Sequence, residues 1–220
     1  MNLISKLFCI CILLSSITTS CAQKKVEKKT ANAFKRPSAN QIINEVKDFQ
    51  DDLNLTYGNS EESPLTEADR KDFKGLQFFD IDTTFYAVAT FIETPNTTPF
   101  RMKTTTDRLP LYRKFGEAYF KLAGEERVLS VFQNIDLIKD SEYADHLFIP
   151  FTDLTNGSDS YGGGRYLDVE MPEGDRIIIN FNKAYNPYCV YNAKYSCPIP
   201  PAENHLEVAI TAGVKAYDKH

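Results

Sequence analysis

Tryptophan does not occur in this chain, and histidine and methionine occur three times each. The signatures that announce several common enzyme chemistries are missing too. There is no G-x-S-x-G, no H-E-x-x-H and no glycine-rich phosphate loop ending in Lys-Ser/Thr, so nothing in the motifs calls for a nucleophile elbow, a zincin site, a nucleotide or any other cofactor. Histidine is scarce as a proton carrier: His220 is terminal and His146 falls in a polar turn, which leaves His205.

Positive charge is scarce outside the N-terminus. Residues 1–36 hold seven basic side chains against Glu27 alone, so the remainder carries 18 basic and 29 acidic residues. An acidic body repels phosphates, which excludes nucleic acid as a partner. The basic run reads as a solvated tether that leans weakly on anionic headgroups.

The N-terminal apolar run, Leu7 to Leu14, is too short to span a bilayer and follows Lys6, the form of a signal peptide over 1–20. Small polar residues then lead to Cys21, as at a bacterial lipoprotein processing site, although Thr18 stands where leucine is usual. Lipidation of Cys21 is the preferred reading, and ordinary cleavage in Ser20-Cys21-Ala22 is its rival. Either places the protein outside the cytoplasm, with a lipid on Cys21 anchoring it to the cell envelope, facing the periplasm. Cysteine is then reduced to Cys189 and Cys197. In an exported protein such a pair reads first as a disulfide. A metal site with His205 is the sharper alternative, and it lacks an obvious fourth ligand.

What is present reads as a lysine-rich tether over 21–37 and one β-rich domain over 38–220. Ser38 and Gln41 have the form of a capping box, and Ile42, Val46, Phe49 and Leu53 share one helical face up to Gly58. Thr66 and Asp69 open a short helical turn. The period then changes to two: Leu76–Ile81, Tyr86–Ile92, Leu111–Leu122, Arg127–Gln133, Leu147–Phe151, Arg165–Met171, Arg176–Asn182 and His205–Ala216 read as strands. Gly124-Glu125-Glu126 reads as a hairpin turn, and Ile135–Ala144 is ambiguous. The expected fold is mainly β, with antiparallel sheets forming a barrel-like sandwich and one N-terminal amphipathic helix.

Residues 161–205 concentrate the unusual composition. Six of the twelve tyrosines lie there, with G-G-G-R from Gly162, N-F-N-K-A-Y-N-P-Y-C from Asn180 and C-P-I-P-P-A-E-N-H from Cys197. Together with S-P-L-T from Ser63, F-K-G-L-Q-F-F from Phe73 and F-T-D-L-T-N-G from Phe151, this block resembles the bacterial family called domain of unknown function 1684, over about Asn44 to Tyr217. The resemblance implies a shared fold and carries no activity over.

Physically, three glycines before Arg165 suit backbone N–H groups beside a guanidinium, a grip for a carboxylate or phosphate. The plainer reading pairs Arg165 with an acid. Arg165, Tyr166, Asn182, Tyr185, Asn186, Glu203 and Asn204 are the expected ligand-binding set, for a small molecule, a glycan or a peptide. The asparagines also suit loop backbone. Glu203 and His205 are the catalytic candidates, two apart on an extended segment. With Arg165 they would serve an envelope hydrolase, the rival to a binding or structural protein.

Overall fold

The computed structural model describes residues 34–217. The signal peptide, Cys21 and most of the tether therefore lie outside the described residues. Arg36, read from sequence as tether, is docked: its Nη1 and Nη2 donate to the carbonyls of Tyr86 (2.7 Å) and Thr83 (2.8 Å), and it lies over the Tyr86 ring.

Helix α1 (Ala39–Gly58) begins where its capping box predicts. Ser38 Oγ accepts from the Gln41 N–H, and Gln41 reaches back to the Ser38 N–H, satisfying two amides that the first turn would leave open. Its buried Ile42 and Val46 pack on Tyr86, Val88 and Ile178, each contributing about 2 kcal/mol by area burial. The turn opened by Thr66 is α2 (Glu67–Lys71), with Thr66 Oγ1 accepting from the Asp69 N–H.

One sheet holds β1 (Tyr86–Glu93), β2 (Phe100–Arg101), β3 (Leu111–Leu122), β4 (Glu125–Asn134), β5 (Leu147–Asp153), β6 (Arg165–Val169), β7 (Arg176–Asn180) and β8 (His205–Leu206). The main path runs β6-β5-β4-β3-β1-β7, all antiparallel, with β2 beside β3 and β8 parallel to β5. The sheet curls until the end strands β6 and β7 approach each other. The fold is β-rich with one main helix, as expected. Its concave side buries Ala89, Leu129, Val131, Ile149, Phe151, Ile179 and Phe181.

Several elements differ from the sequence expectation. The β3–β4 turn is Ala123-Gly124, both at positive φ (52° and 82°), a two-residue hairpin that carries the strand into Glu125. Ile135–Ala144 forms two short 3-10 turns. Leu76–Ile81 contributes one isolated bridge, Phe78 to Val214. His205–Ala216 is strand only at its first two residues. The carbonyls of Ile210, Ala212 and Val214 turn instead toward the Arg165 guanidinium, so a side chain, rather than a neighbouring strand, satisfies them.

Candidate functional site

Both faces of β5 are buried, and its alternation separates two chemistries. Leu147, Ile149, Phe151 and Asp153 point into the concave core. His146 and Phe148 point to the outer face, joined there by Tyr166 and Asp168 of β6, because Phe148 pairs with Asp168 and Pro150 with Tyr166. Side chains of paired residues stand on the same face of a sheet.

On that outer face lies a cleft of about 350 Å³ between α1, the sheet and the loop from Tyr185 to Pro198. Tyr112, Phe148, Tyr166, Tyr185, Tyr188 and Tyr195 wall it. The rings meet steeply: Phe148 and Tyr166 at 72°, Tyr166 and Tyr185 at 87°, Tyr188 and Tyr195 at 60°. Steeply set rings build walls instead of a stack.

A polar chain edges the cleft. Asp168 Oδ1 lies 2.9 Å from His146 Nε2, and its Oδ2 accepts from the Tyr185 hydroxyl at 2.8 Å. A carboxylate only accepts, which assigns the proton to His146 Nε2. Burial, and then the nearby Asp168 charge, hold the Tyr185 hydroxyl well above the usual tyrosine range, so it remains a donor. His146 Nδ1 is buried without a hydrogen-bond partner. By sequence alone His146 falls in a polar turn. Its position directly before a strand, two residues from Phe148, is the signal that places it on the aromatic face.

The expected site residues are scattered. Tyr166 and Tyr185 line the cleft, and Tyr166 donates its hydroxyl to the Pro198 carbonyl. Arg165 points the other way, into the core, with its side chain 0 % exposed. It pairs with Asp153 (2.9 Å) and donates to three carbonyls, so the ligand grip is corrected to a structural pairing. Gly164 serves packing: its N–H donates to the Tyr161 carbonyl, and a Cβ there would meet the Phe151 carbonyl at 2.5 Å.

The asparagines are backbone clamps. Asn182 accepts from the Asp82 N–H and donates to its carbonyl, both at 2.9 Å. Asn186 donates to the Lys215 carbonyl and Tyr191. Asn204 joins Ser130 of β4 to Pro150 of β5 through three bonds. Glu203 is exposed and accepts from Ser130 Oγ, while His205 pairs with Thr152 and Glu207. Glu203 and His205 thus have separate partners, and neither lines the cleft.

Cys189 and Cys197 are free thiols, which corrects the disulfide expectation. The Cys189 N–H, in the turn Tyr188–Val190, donates to Cys197 Sγ at 3.2 Å, so that sulfur serves as a hydrogen-bond acceptor for the turn. Hydrogen bonding with Cys197 pulls the Cys189 thiol down to about 6, against its partial burial, whereas the same contact and burial push Cys197 up. His205 is elsewhere, and among the described residues no three His, Cys, Asp or Glu side chains group as a metal site.

Fold and cleft together define a class: a curled antiparallel β-sheet protein with an aromatic cleft on its outer face, closed on one side by α1. The chain belongs to the family described as protein of unknown function (DUF1684), whose model matches residues 71–215. That range includes every wall of the cleft except Phe49 and Leu53 of α1. Among solved structures it is similar to the solution NMR structure of an uncharacterized protein from Haloarcula marismortui. That likeness has 33% identity and a TM-score of 0.64, covering 82% of this chain and 97% of the other. No curated protein matches.

Proposed function

We propose that the chain is an exported, lipid-anchored binding protein whose outer-face cleft takes a small molecule with an apolar body and one polar head. The observation that carries the binding function is the cleft itself. A volume of about 350 Å³ lined by aromatic rings, with the His146–Asp168–Tyr185 chain on one edge, has the form of a small-ligand site: mostly apolar walls and a few directed polar groups. Export and anchoring rest on Lys6, Leu7–Leu14 and Cys21, and a lipid on that cysteine would hold the domain at the envelope surface.

The hydrolase alternative needed Arg165, Glu203 and His205 to act together. With Arg165 enclosed in the core, and Glu203 and His205 bonded to separate partners away from the cleft, that reading loses its constellation.

Ligand-observed NMR with a panel of small aromatic, saccharide and amine probes tests the binding function, comparing wild type with Tyr188→Ala. Tyr188 is 39% exposed and lines the cleft, so the variant is expected to fold and to weaken binding about fivefold or more, the loss of one stacking wall. Equal binding by the variant would put the ligand elsewhere.

A further inference from the structure

The charge of the cleft narrows its ligand. Among the residues that line it, Asp168 is the only one with a formal charge, and no lysine or arginine is included. The Asp168 side chain is 49% exposed, and its two oxygens bond the His146 ring and the Tyr185 hydroxyl. In the same cleft stand six tyrosine and phenylalanine rings of the sheet and loop, with Phe148–Tyr166, Tyr166–Tyr185 and Tyr188–Tyr195 set at steep angles. A ring face carries negative electrostatic potential, and several faces around one carboxylate favour a large, weakly hydrated cation.

Three cations lie near the rim, and all are already engaged. Lys183 Nζ pairs with Glu45 at 2.5 Å and lies 5.8 Å from the centroid of the Phe49 ring. Arg108 Nη2 donates to the Ser196 carbonyl at 2.7 Å. Lys194 Nζ sits 4.9 Å from the centroid of the Tyr195 ring, a contact of the same ammonium–aromatic kind. Arg108 and Lys194 are exposed residues, where water and salt screen them, and Lys183 is neutralised by Glu45, whereas a head group inside the cleft meets Asp168 at short range. The negative net charge of −5 favours approach of cations generally.

Building on the binding function proposed above, we infer that this cleft takes an organic cation, a small molecule with a tertiary or quaternary alkylammonium head. The head sits among Tyr166, Tyr185 and Tyr188 near Asp168, and the remainder of the ligand lies along Phe148 and Tyr112. A primary ammonium is less suited, because its hydration is stronger and aromatic faces replace little of that water.

Calorimetric and NMR titration of the full protein with choline, and with 3,3-dimethyl-1-butanol as its uncharged isostere, tests this. Choline is expected to bind about tenfold tighter than the isostere, to shift the tyrosine ring signals of the cleft, and to weaken as salt is raised. Asp168→Asn should bring the two affinities together, and the wild-type ratio stands as a test even if that variant folds poorly. If the isostere binds as tightly as choline at the cleft, the cation inference is overturned and the binding function stands. If neither perturbs the cleft while a neutral or anionic probe from the wider panel does, the cation inference is likewise overturned. If no probe at all binds there, both fail.

Discussion

Arg165 and Asp153 form an ion pair of 2.9 Å with neither side chain exposed to solvent. Asp153 also accepts from the Thr155 amide and hydroxyl and from the Ile210 N–H, and Arg165 reaches three carbonyls of the C-terminal segment. The pair thus ties β5, β6 and residues 210–214 together. Burial works against the charged guanidinium and the Asp153 partner sustains it. Removing either member leaves a buried charge unpaired. Arg165→Ala and Asp153→Ala are each expected to cost about 3–5 kcal/mol, read as a lower midpoint in urea unfolding. A loss under about 1 kcal/mol from both would show that the pair does not hold the C-terminal segment.

Asn204 and its neighbour Glu203 should separate cleanly. Asn204→Ala removes three bonds from the buried junction of β4 and β5, and unpaired groups there cost about 2–4 kcal/mol in total. Glu203 is exposed and holds only Ser130 Oγ. Glu203→Ala should change stability by no more than about 0.5 kcal/mol. Thermal unfolding of the two variants side by side decides it, and equal losses would contradict the assignment.

Tyr185→Phe deletes one hydroxyl, the donor to Asp168 Oδ2, and keeps the ring. The expected loss of stability is about 1 kcal/mol, with the aromatic wall preserved. Binding of an apolar probe should be unchanged, while any ligand that relies on the position of Asp168 should weaken. A variant indistinguishable in both respects would remove the polar chain from the account of the cleft.

Cys189 should react as a thiolate in mildly acidic solution. Its folded value of about 6 lies below the ordinary cysteine value near 8.5, so the fold favours the charged form. The associated stability is full above the unfolded value and is lost as pH falls through about 6. Alkylation of the unreduced protein, followed by peptide mass spectrometry, should show Cys189 modified with an inflection near pH 6 and Cys197 modified slowly. Absence of any free thiol would mean that the pair is joined after all.

The proposed anchor predicts that the native protein fractionates with membranes and carries added lipid mass at Cys21. Cys21→Ser should move it to the soluble fraction. A native protein of unmodified mass starting beyond residue 21 would remove the lipid from the proposal.

The sequence by itself determined the elements whose signals are local. Helix α1 follows from Ser38, Gln41 and the spacing of Ile42 and Val46, and β3 follows from alternation over Leu111–Leu122, because capping and side-chain period act within a few residues. It also pointed to residues 161–205, from which Tyr166 and Tyr185 reach the cleft.

Only the tertiary structure decided what the conspicuous residues face. Strand alternation puts neighbouring residues on opposite sides of a sheet, so Arg165 enters the core while Tyr166, next in the chain, opens onto the cleft. His146 and Asp168 are 22 residues apart, and the pairing of β5 with β6 alone brings them to 2.9 Å. The segment after Leu206 has a strand's composition but pairs only through the isolated bridge of Val214 with Phe78, because three of its carbonyls are taken by a buried guanidinium. No local pattern encodes that, since the hydrogen-bond acceptors and their donor meet only once the sheet has curled.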